Sequence, residues 1–133
     1  MRVSQLDHVN IVTDDLAGTA RFYADLLDLE ARDGPPPSRP EDVKWMYDEA
    51  GRAILHLNRA SFFKPLGREA KPAADTGAVH HVALRCEGHA EMIERLKARG
   101  LEHATQDIGS INLKQIFVVD PNGVLLELNF FGG

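Results

Sequence analysis

The sequence predicts an α+β protein built from one βαβββ module used twice. Three observations carry this expectation. Alternating apolar and polar residues mark a strand near the start of the chain and another past its middle. Each of these strands is followed by a segment with helical spacing. Landmarks of the first half return in the same order in the second. Asp7-His8-Val9-Asn10-Ile11 aligns with His80-His81-Val82-Ala83-Leu84, Asp48-Glu49-Ala50-Gly51 with Asp120-Pro121-Asn122-Gly123, and His56-Leu57-Asn58 with Glu127-Leu128-Asn129. The separation between partners shrinks by only one residue from each landmark to the next. Two-residue matches between strands are common by chance, but three in order on the same kinds of element are not. The expectation is a single domain over residues 1–133 with repeats at about 1–60 and 78–133.

Taken in order, Gln5–Val12 reads as a half-buried strand with Leu6, Val9, Ile11 and Val12 as its apolar set. Asp14 and Asp15 are N-cap candidates, because a carboxylate accepts from the orphan N–H groups of a helix start. Leu16, Ala20, Tyr23, Leu26 and Leu27 then recur at helical spacing and predict a helix over Asp15–Leu27. Gly34-Pro35-Pro36-Pro37 and Pro40 interrupt regular structure. Lys44–Asp48 and Ala53–Asn58 predict strands around the Glu49-Ala50-Gly51 turn. Ser61–Gly77 lacks periodicity and reads as a long loop. Val79–Cys86 alternates again. Ala90, Ile93, Leu96 and Lys97 share a helix face that Gly100 ends. Lys114–Val119 and Val124–Phe130 flank the turn Asp120-Pro121-Asn122-Gly123.

Composition excludes several classes of function. The 133 residues are 44% hydrophobic and 26% charged, the balance of a globular chain able to bury a core. The net charge of −5 comes with scattered Lys and Arg, which argues against a nucleic-acid partner. No apolar run is long enough to span a bilayer, and the N-terminus reads as a first strand rather than a signal peptide. Cys86 is the sole cysteine, so no intrachain disulfide forms and the cytoplasm is the default location.

The repeat pairs His8 with His81 and His56 with Glu127, all of them metal-ligand types. Strand alternation puts His8 and Asn10, His81 and Ala83, and Glu127 and Asn129 on the faces opposite the more apolar ones. If helices cover the apolar faces, the remaining faces curve around a shared cavity. A single strand histidine is more often just hydrogen-bonded, and a lone buried glutamate is costly. Four such groups at equivalent positions are not explained that way. The expected metal ligands are therefore His8, His56, His81 and Glu127, with a base beside the metal as the alternative role for His56. His80 neighbours His81 but would face away. His89 and His103 sit at a helix start and past a helix end, where solvent is the expectation, and Cys86 reads as packing. Asn10, Asn58, Arg85 and Gln115 are substrate-contact candidates by alternation, and Trp45 could line the cavity.

The stretches LDHVNIVTDDLAGTARFYADLLDLE, AILHLN, VHHVALRC and QIFVVDPNGVLLELNF resemble the vicinal oxygen chelate superfamily, the glyoxalase/bleomycin resistance/extradiol dioxygenase proteins. They span Leu6 to Phe131. The last is the most specific, with Asp-Pro-x-Gly and then Glu four residues after the glycine. The resemblance implies two βαβββ modules forming an incomplete, U-shaped mixed barrel with helices outside. It also implies one divalent metal per site (Zn, Ni, Co, Mn or Fe) that chelates neighbouring oxygens of a small substrate and stabilises the anion that forms. The family's ligand positions map to His8, His56, His81 and Glu127.

The resemblance further implies a homodimer. In some members the modules exchange, so that His8 and His56 of one subunit join His81 and Glu127 of the other. The leading expectation is a glyoxalase-type isomerase or lyase with Glu127 or His56 moving a proton. An extradiol-type iron dioxygenase and a drug-binding resistance protein are the alternatives. The sequence departs from several members. Glyoxalases tend to carry Glu, and the related epimerases Gln, where His56 stands. Extradiol dioxygenases have Tyr where Phe117 stands, and a His around Ile108–Ser110 that is absent here. The cation-binding loop of fosfomycin-modifying thiol transferases has no clear match.

Overall fold

The computed structural model describes residues 1–60 and 72–132. The chain forms two compact units, Met1–Pro72 and Ala73–Gly133. The first contains β1 (Val9–Thr13), α1 (Leu16–Leu27), β2 (Glu30–Asp33), β3 (Val43–Tyr47) and β4 (Ala53–Arg59). The second contains β5 (Val82–Arg85), α2 (His89–Ala98), β6 (His103–Ile108), a single 3-10 turn at Gly109–Ile111, β7 (Leu113–Val119) and β8 (Leu125–Phe131). Each unit is thus βαβββ, and each sheet is open and mixed. The strand orders are β1-β4-β3-β2 and β5-β8-β7-β6, with one parallel pair, β1–β4 or β5–β8, and antiparallel pairs otherwise. The α+β class and the duplicated module are as the sequence predicts.

Local chemistry explains these elements. Thr13 ends β1, and its hydroxyl accepts from the Asp15 amide at 2.9 Å. Asp15 then caps α1 by accepting from the Gly18 amide at 2.9 Å, supplying a partner to a first-turn N–H. Leu16, Thr19, Ala20, Tyr23 and Leu26 form the buried face of the helix. Against it lie Ile11 and Thr13 of β1, Met46 of β3, and Leu55 and Leu57 of β4, all buried. The Thr13 and Thr19 hydroxyls meet at 3.0 Å, so this core carries a satisfied polar pair rather than an orphaned one.

In the second unit Met92 and Leu96 of α2 are buried, as are Ile116, Val118, Leu126, Leu128 and Phe130 of the sheet. Leu55, Leu57, Leu126 and Leu128 are almost completely shielded on the central strands, where a Leu→Ala change costs about 2–5 kcal/mol.

The two hairpins use one device. Asp48 Oδ1 accepts from the amides of Ala50 at 3.0 Å and Arg52 at 2.9 Å. Asp120 Oδ1 accepts from Asn122 at 2.8 Å and Val124 at 2.9 Å. Gly51 and Gly123 take φ of 78° and 83°, the left-handed region that glycine enters without steric cost. This equivalence is the clearest structural echo of the sequence repeat.

The differences from the sequence reading are mostly at edges. β1 starts at Val9 and β5 at Val82, later than alternation suggested, because residues 5–8 and 79–81 have no ladder partner. β2 and β6 are edge strands that periodicity missed. All of β2 is exposed, and in β6 only His103 and Ile108 are half-buried, so neither strand has an apolar face to signal it. The expected loop Ser61–Gly77 lies largely outside the described residues. Among the described residues no helix is long and apolar enough to cross a membrane.

Candidate functional site

Each sheet has one face under its helix and one open face, and the ligand-type residues fall on the open faces. In the first unit, β3–β4 register sets Trp45 opposite His56 and Val43 opposite Asn58, while β1–β4 register sets Asn10 beside His56. Three rings follow. Trp45 and His56 stack with centroids 4.0 Å apart and planes within 8°. His56 and His8 stack at 3.6 Å and 12°. His56 is therefore the middle of an indole–imidazole–imidazole sandwich. Asn10 Nδ2 donates to Asn58 Oδ1 at 3.2 Å beside it.

This stack constrains the chemistry. An imidazole binds an ion through a lone pair lying in its ring plane. Two parallel rings one van der Waals layer apart cannot both have the same ion in plane. His8 and His56 are thus not a chelating pair in this arrangement. His8 is prepared singly: its Nδ1 meets Asp7 Oδ2 at 2.5 Å, which leaves Nε2 as its open nitrogen. A carboxylate on the remote ring nitrogen is how ligand histidines are usually oriented. Burial holds the His56 pKa below the ordinary 6.5, and the nearby His8 pushes the same way, with Asp7 partly opposing. His56 is consequently a neutral imidazole at pH 7.

In the second unit Glu127 stands beside Ala83 on β5 and opposite Phe117 on β7, and Asn129 stands beside Arg85 and opposite Gln115. His81 Nε2 lies 3.7 Å from Glu127 Oε1. Donors that share an ion at about 2.0–2.2 Å each lie some 3–4 Å apart, so this pair fits a metal by both donor chemistry and spacing. Glu127 is mostly buried, its side chain 15% exposed. Its other oxygen, Oε2, accepts from Asn129 Nδ2 at 2.9 Å, and Asn129 Oδ1 accepts from buried Gln115 Nε2 at 3.0 Å. A part-buried chain of two amides thus fixes the carboxylate. His81 Nδ1 faces His80 Nδ1 at 3.0 Å, which again leaves Nε2 open.

All the residues expected from the sequence lie on these two faces: His8, Asn10, Trp45, His56 and Asn58 on the first, and His81, Arg85, Gln115 and Glu127 on the second. Within neither unit do the described residues gather three or more His, Cys, Asp or Glu side chains around one point. The ligand-type groups come as one pair per unit.

Gln115 donates through Nε2 to Asn129, which orients its amide. Three residues were missed. Asn129 shares a face with Glu127, which the alternation already gave. Asp7 and His80 occupy equivalent repeat positions, each immediately before a ligand-type histidine. His80 was expected to face away from His81, but alternation does not apply before β5 begins, and its ring meets that of His81 edge-on at 5.2 Å. Cys86 is half-buried, and burial pushes its thiol up to about 11, so it is protonated and packs as expected.

Two βαβββ units carrying histidine and carboxylate on their open faces define the class of protein. The chain belongs to the glyoxalase/bleomycin resistance protein/dioxygenase superfamily, whose family model matches residues 5–128. Among curated proteins it is 24% identical to Glyoxylase I 4 of Arabidopsis thaliana, over 96% of this chain and 71% of that one. It is likewise 24% identical to the mitochondrial methylmalonyl-CoA epimerase of Homo sapiens, over 95% of this chain and 73% of that one. Its fold matches a variant of the fosfomycin resistance protein FosX from Listeria monocytogenes, solved with Mn(II) and 1S,2S-dihydroxypropylphosphonic acid. That match has a TM-score of 0.70 and 18% identity, covering 98% of this chain and 95% of that one.

Proposed function

We propose that the chain is a divalent-metal-dependent enzyme of the glyoxalase type, an isomerase or lyase that moves a proton on a carbon next to a carbonyl of a small substrate. The observation that carries this reading is the His81–Glu127 pair, spaced for an ion and fixed from behind by Asn129 and Gln115. His8, with Asp7 behind it and Nε2 open, is a further proposed metal ligand of this chain. When bound, the ion supplies Lewis-acid polarisation to neighbouring substrate oxygens.

The chain's own residues do the rest. His56, kept neutral by burial, accepts the carbon-bound proton and returns it. Trp45 holds the His56 ring in place by stacking. Asn10 and Asn58 offer amide groups beside it. The metal is one of Zn, Ni, Co, Mn or Fe, and the FosX complex with Mn(II) supports a divalent ion in this fold. A homodimer in the cytoplasm is part of the same reading.

Solvent exchange tests it. Metal-reconstituted protein is incubated in D2O with methylmalonyl-CoA and with a panel of α-hydroxy ketones and α-substituted thioesters, and NMR follows the proton beside each carbonyl. The expected result is deuterium incorporation into at least one class, abolished by chelation and cut about 10²-fold or more in His56→Gln. Exchange that persists in His56→Gln overturns the assignment of the base. Tight binding of panel members without any exchange favours a sequestering protein.

A further inference from the structure

We propose that Arg85 is an anion-binding residue of the second unit's open face, so that the substrate is a small acid carrying a carboxylate or phosphoryl group beyond its chelating oxygens. This rests on reading His81 and Glu127 as a metal-binding pair.

Four observations carry it. First, placement: His81, Ala83 and Arg85 alternate along one line, and β5–β8 register sets Ala83 beside Glu127 and Arg85 beside Asn129. Arg85 therefore sits on the Glu127 face, displaced along the strand by about 6.6 Å and across it by about 4.8 Å. That offset is the reach of a short carbon chain, not of a direct ion pair. Second, charge: on the strands of this face Arg85 is the one Lys or Arg among the described residues.

Third, availability. Arg32, Arg39, Arg52 and Arg95 each meet a carboxylate at 3.0 Å or less. Arg85 meets none among the described residues. Fourth, preorganisation: its Cζ lies 4.3 Å from the centroid of the Phe131 ring, which supports the flat guanidinium and leaves its donors for a ligand. A planar fork matches a carboxylate or phosphoryl edge.

Isothermal titration of metal-loaded protein with paired probes tests this. Lactate and glycerate offer only chelating oxygens and the monoanion, whereas malate and 3-phosphoglycerate keep that α-hydroxy acid and add a second anionic group of the carboxylate or phosphoryl kind. Wild type is expected to bind malate more tightly than lactate, or 3-phosphoglycerate more tightly than glycerate, by about five- to tenfold, a modest factor because the guanidinium is exposed. Arg85→Gln should erase that preference while leaving the monoanion affinity in place, and Arg85→Lys should keep part of it. The pair that shows the preference identifies the anion.

Equal affinity within both pairs, or a preference that survives Arg85→Gln in protein of unchanged circular dichroism, overturns the assignment of Arg85 alone. Monoanion binding that is indifferent to Glu127→Gln and to chelation overturns the metal reading, and the Arg85 proposal with it.

Discussion

Asn129→Leu is the sharpest single perturbation of this molecule, because one side chain does two jobs. Its amide donates to Glu127 Oε2 at 2.9 Å and its carbonyl accepts from Gln115 Nε2 at 3.0 Å. Leucine keeps the branched outline and the number of side-chain heavy atoms; although bulkier, it makes neither hydrogen bond. Gln115 is buried, and leaving its amide without a partner costs about 1–3 kcal/mol. The bond to the carboxylate is charge-assisted, worth about 1.5–3 kcal/mol when fully formed, and less here because Glu127 keeps some exposure.

Together these give an expected loss of about 2–4 kcal/mol in a urea-unfolding experiment. In parallel, a Glu127 carboxylate free to rotate should weaken divalent-metal binding by roughly 10–100-fold in a calorimetric titration. Gln115→Leu should weaken the metal less, since it removes only the outer bond. The double variant should be less destabilised than the sum of the singles, because the orphaned amide is then gone. A loss below about 0.5 kcal/mol with metal affinity unchanged would refute the inference that this chain of amides positions Glu127.

Two further outcomes follow from single residues. Because burial holds the folded-state pKa of His56 below 6.5, the unfolded chain takes up that proton first as pH falls. The His56 contribution to stability is therefore present above 6.5 and is lost as pH drops through the lower folded-state value. The fall in Tm from pH 7 toward pH 5 should be shallower in His56→Gln, and an identical fall would contradict it. Gly123→Ala should cost at least about 2 kcal/mol by chemical denaturation, since φ is +83° and the added Cβ would stand 2.3 Å from the Ala73 carbonyl oxygen. Gly51→Ala meets nothing within 4 Å and should lose only the backbone term, so equal losses at the two sites would refute the clash.

Much of this architecture was legible because the module occurs twice. Aligning His8 with His81 and Asp48 with Asp120 located both ligand-type strands and both hairpin turns without any reference structure. The Asp-capped turns then appeared with matching hydrogen bonds. The exposed edge strands were not legible. Glu30–Asp33 and His103–Ile108 have no buried stripe, so their pairing is a property of the neighbouring strand rather than of their own pattern.

Strand alternation also over-reached at His80. The ladder starts at Val82, and ahead of it a side chain follows local contacts rather than the pleat. The sequence left His56 between metal ligand and base, because residue type and repeat position do not separate the two roles. The ring stack that keeps His8 and His56 from sharing one ion depends on Trp45 arriving across β3, a pairing that no spacing within the sequence specifies.

The metal content of the purified protein, compared with His81→Ala and Glu127→Ala, tests the central claim most directly. About one divalent ion per chain in wild type, lost in both variants with the fold intact, is the predicted result. Wild-type protein that takes up no divalent ion after reconstitution, or variants that retain it in full, would contradict the assignment of His81 and Glu127 as metal ligands.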